Sequence, residues 1–482
     1  MENGKFFALL DTLTKEEEIR FADFIASPYH NSNKALIPVY TLIAKWKSNG
    51  EQIQKEKIFA AYFPGKKFEY VKFNNVIYYL NKLAESFIGL EKMQKDAFLS
   101  KMAIFSETRR RHLTKAAETV KIKLQAELNE SPERDHNWYY KMFQFYNEQN
   151  IYLTEMDRMQ DNSQIKLKTD NLDVFYFSAK LQDACEMMNR SLILPEAEYD
   201  NNIVGKIIRI IEGDKDKYEA YPSVSVYLCI FRMLSEKNNS PYFNKLTTLL
   251  SRHGKSFTHF ELRDLYNYGR NYCIRRVNSG DINYMQSLFE INKTMVETGL
   301  LTLDNMIPEA DYKNIVSAGL RIRQFEWVLQ FIKKYAEKLP ENERVNAFSY
   351  NLAYYNYESG DYKKATKLLN EVEFSNVFYN LDAKTLLLRI YFDGDEDESF
   401  LSLIAAFKNY LKRNKLIQEN RYKQYHNLVK FTLKLFNLRK KLPLGKGRAF
   451  YKELNNIKHQ IKETTYIANL NWLLSRVESL GK

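Results

Sequence analysis

Three features of the 482-residue chain predict an all-α fold. Glycine and proline are scarce, at 16 and 10 residues, whereas sandwiches, barrels and doubly wound sheets need many special turns. Apolar residues recur at helical spacing, as in Ile203, Ile207, Ile210 and Ile211, and strict alternation over a strand length is rare. The hydrophobic content of 45% is that of a globular chain, long enough for about three domains or one elongated repeat array. About twenty helices joined by short connections are expected.

Residues 1–94 read as an N-terminal helical module. Thr14 precedes a helix start at Lys15–Glu18, and Ser27–Pro28 marks another, since Ser caps free N–H groups and Pro suits a first turn. Phe63–Pro64–Gly65 is the sharpest break. Residues 70–92 then form one helix with Val71, Val76, Leu80, Leu83 and Phe87 inward. Residues 95–130 read as a long, charged spacer helix ending near Ser131–Pro132.

Residues 131–415 read as helix pairs. The clearest unit runs from residue 346 to 374: one helix carries Leu352 and Ala353, Ser359–Gly360–Asp361–Tyr362 turns the corner, and Ala365 opens the face of the next helix. Two antiparallel helices that pack closely need small residues where their backbones approach and a glycine for the left-handed turn. On Leu352, Ala353, Gly360, Tyr362 and Ala365 the unit resembles a tetratricopeptide repeat, with Ser349 where that family carries Trp, Ala353 where it prefers Gly, and Val372 at its later Ala position. A second corner, at Gly280, lies 80 residues upstream, about two repeat lengths, and the unit between is degenerate. The resemblance implies a right-handed TPR-like α-solenoid of helix hairpins with a groove that holds extended or helical peptides. Basic helices over residues 416–482 close the array.

The segments Ser27–Asn31 (SPYHN), Asn271–Arg276 (NYCIRR), Phe378–Tyr391 and Tyr410–Ile417 (YLKRNKLI) also make nearly the whole chain similar to an uncharacterised bacterial family of TPR-like helical-repeat proteins. That resemblance implies the same architecture and brings no established activity.

No residue spacing selects catalytic, cofactor-binding or metal-ligating groups. Gly254–Lys255–Ser256 has the ending of a phosphate-binding loop, but its first glycine would be Leu249, so a helix C-cap is expected. Gly445–Lys446–Gly447 lacks the strand–loop–helix setting of a dinucleotide site. The seven histidines form no i,i+4 pair. The acidic corner Asp393–Glu398 lacks the spacing of a calcium loop and reads as a solvated turn at a helix N-terminus. Cys185, Cys229 and Cys273 stand 44 residues apart twice and read as buried core positions in a protein of a reducing compartment. The opening stretch turns acidic too early for a signal peptide, and the longest apolar run, Val226–Leu234, falls far short of the roughly 20 residues that cross a bilayer, so a cytoplasmic protein without membrane insertion is expected.

Charge is the most informative functional feature. The chain carries 72 Lys and Arg against 60 Asp and Glu; residues 401–482 alone hold 18 against 4, and the remainder is nearly neutral. Lys412, Arg413, Arg439, Lys440, Lys441, Lys446, Arg448 and Lys452 are therefore the candidate residues for an acidic partner or a polyanion, through contacts that weaken with salt. Arg109–Arg110–Arg111 is a smaller candidate. The segment Lys57–Glu91 resembles the end of a winged-helix DNA-binding domain without its wing, which would turn Asn74, Asn75, Tyr78 and Lys82 toward a groove. The expected function is a non-enzymatic adaptor with a partner protein in its groove. The alternative is a factor that docks on RNA or a ribosome, or on DNA, through the basic helices.

Overall fold

The computed structural model describes residues 4–52, 54–156, 162–191, 202–235, 241–302, 305–371 and 377–482. Helix accounts for 81% of the structure, and no strand occurs among the described residues. Among the described residues there are 24 α-helices: α1 (Lys5–Leu10), α2 (Lys15–Ala26), α3 (Leu36–Asn49), α4 (Lys55–Tyr62), α5 (Tyr70–Lys95), α6 (Ala97–Arg110), α7 (Thr114–Glu130), α8 (His136–Glu155), α9 (Ser163–Ser191), α10 (Asn202–Gly213), α11 (Lys215–Glu219), α12 (Pro222–Ser235), α13 (Pro241–His253), α14 (His259–Asn278), α15 (Tyr284–Glu297), α16 (Glu309–Arg321), α17 (Phe325–Lys334), α18 (Glu341–Glu358), α19 (Tyr362–Glu371), α20 (Val377–Asp393), α21 (Asp397–Arg413), α22 (Glu419–Arg439), α23 (Arg448–Glu463) and α24 (Leu470–Gly481). They form two compact units: Met1–Lys180 with Gly213–Val224, and Leu181–Glu212 with Ser225–Lys482.

In the first unit, α1 to α5 enclose a core of Phe6, Phe21, Ile43, Phe59, Leu80 and Phe87. Thr14 caps α2 as expected: its hydroxyl accepts from the Glu17 N–H, and the Glu17 carboxylate accepts from the Thr14 N–H. Ser27–Pro28 does not start a helix. Ser27 is the extended residue that ends α2, the conformation a following proline favours, and the chain then turns around buried Asn31, whose Nδ2 donates to the Ile25 carbonyl at 2.9 Å. On α5 it is Phe73 that enters the core, while Val71 is 71% exposed.

The expected spacer helix is two helices. His112, in the left-handed region at φ 57°, breaks residues 95–130 into α6 and α7. These pack on each other and on α8 around Phe105, Leu124, Phe145 and Tyr152, so the segment belongs to a packed body.

In the second unit α14 pairs with α15, α16 with α17, α18 with α19 and α20 with α21, while α18 also packs on α16 and on α20. The corners share one hydrogen-bond pattern. At Gly280 and Gly360 the left-handed residue's N–H donates to the carbonyl three residues back, and the next N–H donates to the carbonyl five back. Arg323, between them, adopts φ 61° with the same two bonds, and so does His112 in the first unit. Asp395 shares the left-handed conformation, and Glu396 makes the bond five back. Small residues sit where paired helices approach: Ala353 and Ala365 are fully buried, and a Cβ on Gly319 would overlap Val328 of α17. Leu352 and Tyr362 are half-buried, with Tyr362 stacked on Tyr357 at 5.5 Å. Val372 lies outside the described residues.

One apolar cluster runs through Leu381, Phe407, Leu428, Leu454, Ile461 and Leu473. Residues 416–482 are thus packed onto α20 and α21, and no break in packing falls at residue 415.

Candidate functional site

The cations expected to form a basic site are spread over α21, α22, α23 and the link between α22 and α23 in the second unit, and they fall into two sets. The first set meets the acidic corner between α20 and α21, which is, as expected, an exposed turn at the N-terminus of α21, and which also serves as a docking point. The guanidinium of Arg439, 15% exposed, pairs with Asp395 at 2.6 Å and Asp397 at 3.7 Å, donates to the Phe392 carbonyl, and lies over the Phe392 ring at 4.4 Å. Lys440 pairs with Asp397, and Lys441 with Glu453 at 2.7 Å. Asp393, 5% exposed, accepts from the Tyr357 hydroxyl at 2.6 Å and the Trp472 indole at 3.2 Å, and pairs with Arg476 at 3.1 Å. A half-buried guanidinium that spends its donors on carboxylates and a backbone carbonyl holds α22 to the corner and offers little to an external anion. Arg439 is therefore spent on the fold, while Lys440 and Lys441, each about half exposed with one ion pair, are partly neutralised.

The second set is exposed. Lys412, Arg413, Lys446, Arg448 and Lys452 stand in solvent with no ion pair among the described residues. Lys446 lies in the link between α22 and α23, near Gly445 at φ 91°, and Arg448 opens α23. The apolar stripe of α23, Phe450, Leu454, Ile457 and Ile461, is buried, which fixes Lys452 on the outer face. Lys412 and Arg413 close the C-terminal end of α21, whereas Lys446, Arg448 and Lys452 lie around the start of α23, after the end of α22 that docks on the acidic corner.

The smaller candidates are neutralised. Arg109 pairs with Glu148 and Glu155, each at 2.6 Å, and Glu107 holds both Arg110 and Arg111. Asn74, Asn75, Tyr78 and Lys82 are exposed on α5, and no strand of a wing accompanies them among the described residues.

Sequence spacing missed a depression of about 300 Å³ between α14, α15 and α16, lined by Arg270, Ile274, Asn278, Asn292, Ser317 and Arg321. Arg270 is anchored there by Asp311 at 2.9 Å. It also missed a charged network along α16, α18 and α20: Lys313 pairs with Asp382 beneath the Tyr350 ring, and Arg389 lies 4.4 Å over the Tyr357 ring and pairs with Glu358 at 3.1 Å. Burial, and then the nearby Glu343 charge, raise the Glu309 pKa. These groups lie 30 to 80 residues apart in pairs that no local pattern announces.

Gly254–Ser256 forms a 3-10 turn after α13. The three cysteines are buried, Cys229 and Cys273 with thiols pushed by burial up to about 12 and Cys185 likewise raised well above its ordinary value, which suppresses the reactive thiolate. No group of His, Cys, Asp or Glu among the described residues is arranged to hold a metal ion. No helix among them is long and apolar enough to cross a membrane. No family model, curated protein or solved structure matches this chain.

Proposed function

We propose that the chain is a non-enzymatic scaffold of the cytoplasm that holds another protein on a TPR-like array of helix hairpins and draws an acidic surface of that partner to its C-terminal cations. The observation that carries this reading is the division of the basic residues: Arg439 is consumed by the acidic corner and Lys440 and Lys441 are ion-paired, whereas Lys412, Arg413, Lys446, Arg448 and Lys452 remain exposed and without ion pairs among the described residues. The repeated hairpin corners at Gly280, Arg323, Gly360 and Asp395 support the array, and the depression beside Arg270 and Arg321 offers it a concave binding surface that mixes apolar side chains with two guanidiniums.

Purification of the tagged protein from its own cells, with and without nuclease at two salt concentrations, tests the reading. A discrete protein that survives nuclease and is lost from an Arg270→Glu/Arg321→Glu variant is the expected result. Loss of every companion on nuclease treatment contradicts it and favours the second reading, docking on RNA or a ribosome through the same unpaired cations, whose binding falls steeply with salt.

A further inference from the structure

A separate cavity of about 710 Å³, open to solvent, lies against α20 and α21 and is lined by Lys384, Asn409, Tyr410, Arg413, Asn414 and Lys415. Three cations share it, and no acid is among its lining residues. None of the three makes an ion pair among the described residues; Lys384 has only the Tyr410 ring, 5.3 Å from its ammonium. Arg413 suits the carbonyl end of α21, where a cation complements the helix dipole. Lys384 has no such reason: it sits midway along α20, half-buried, and burial alone lowers its pKa. An ammonium withdrawn from water without a carboxylate is destabilising unless something else supplies the negative charge.

We propose that this pocket binds a phosphate monoester, its dianion shared by the Lys384 ammonium, the Arg413 guanidinium and Lys415. A dianion matches this concentration of positive charge better than a single carboxylate does, and its three oxygens match a guanidinium fork plus separate ammonium donors. The Asn409 amide adds a donor, and Asn414, whose Nδ2 meets the Tyr410 hydroxyl at 3.2 Å, holds that wall in place. The cavity is several times larger than a phosphate group, so the phosphate arrives on an ester, either a small molecule or a phosphorylated side chain. The pocket stands independently of the partner-binding reading, because its test uses the purified protein and defined phosphate compounds.

Titration calorimetry of the full chain at low salt with phenyl phosphate, a phosphoseryl peptide and the same peptide unphosphorylated tests it. Binding of either phosphorylated probe, at least about tenfold weaker in both Lys384→Gln and the exposed variant Arg413→Gln and unchanged in Lys333→Gln, an exposed lysine of α17 outside the pocket, is the expected result. Tighter binding of phenyl phosphate identifies a small ester as the source, and tighter binding of the peptide a phosphorylated side chain. Absence of binding by both probes, equal binding of the unphosphorylated peptide, or equal loss in Lys333→Gln overturns the proposal.

Discussion

The indole N–H of Trp472 donates to the Asp393 carboxylate at 3.2 Å, joining the last helix, α24, to the corner between α20 and α21. The same carboxylate accepts from Tyr357 of α18 and faces the Arg476 guanidinium. Asp393 thus ties three helices, and its charge is compensated on every side. Asp393→Ala leaves a buried hydroxyl, an indole N–H and a guanidinium without their acceptor, and is expected to lower stability by about 3–5 kcal/mol. Trp472→Phe removes one neutral donor and should cost about 1 kcal/mol for the hydrogen bond, besides any loss of packing. Urea midpoints of the two variants check the order.

Gly319 and Gly360 are required for different reasons, and substitution separates them. At Gly319 an added methyl meets Val328 inside van der Waals contact, so Gly319→Ala should cost about 1–3 kcal/mol and be largely rescued by Val328→Ala. At Gly360 the space is open but φ is +87°, so Gly360→Ala should cost about 1–2 kcal/mol with no rescue by trimming neighbours. A double-mutant cycle read by denaturation gives both results.

These two glycines also mark what the sequence reveals. Gly280 and Gly360 are legible corners because glycine is the residue that takes a left-handed turn without strain. His112, Arg323 and Asp395 take the same turn with side chains that carry no such signal, so the α6–α7 break and the corner between α16 and α17 pass unnoticed. The apolar stripe of α23 is legible from its period, and its burial follows. The fate of the basic residues is not: Arg439 and the acidic corner look alike in sequence to solvated charges, and only folding brings them to 2.6 Å across more than forty residues. Pairing in space, which no spacing encodes, decides which cations are free.

Glu309 gives stability a dependence on pH. Its carboxyl faces Glu343, Tyr379 and Lys313, and burial and the Glu343 charge raise its folded pKa above the ordinary 4.5. The folded state therefore holds the proton more tightly than the unfolded chain. This contribution is fully present below pH 4.5 and is lost as pH rises through the folded value. The stability of the native protein relative to Glu309→Gln should fall as pH rises above about 4.5, measured by denaturation at each pH.

The cysteines should be inert in the native protein. With all three buried and their thiols raised by burial, a maleimide should label Cys185, Cys229 and Cys273 together and only on unfolding, at a rate that follows denaturant and not reagent concentration. Mass spectrometry of the labelled chain counts the modified sites. Rapid labelling of one thiol in buffer contradicts the packing described.

The division of the basic residues into those that hold the fold and those that meet a partner is tested most directly by comparing two variants in one experiment. Lys446→Glu/Arg448→Glu/Lys452→Glu and Arg439→Gln are each purified from the protein's own cells, and the companion recovered and the melting temperature are measured for both. The account predicts that the triple reversal melts close to the native protein but loses its companion, while Arg439→Gln melts several degrees lower and retains the companion below its transition. Undiminished recovery with the triple reversal, or an unchanged melting temperature for Arg439→Gln, would contradict it.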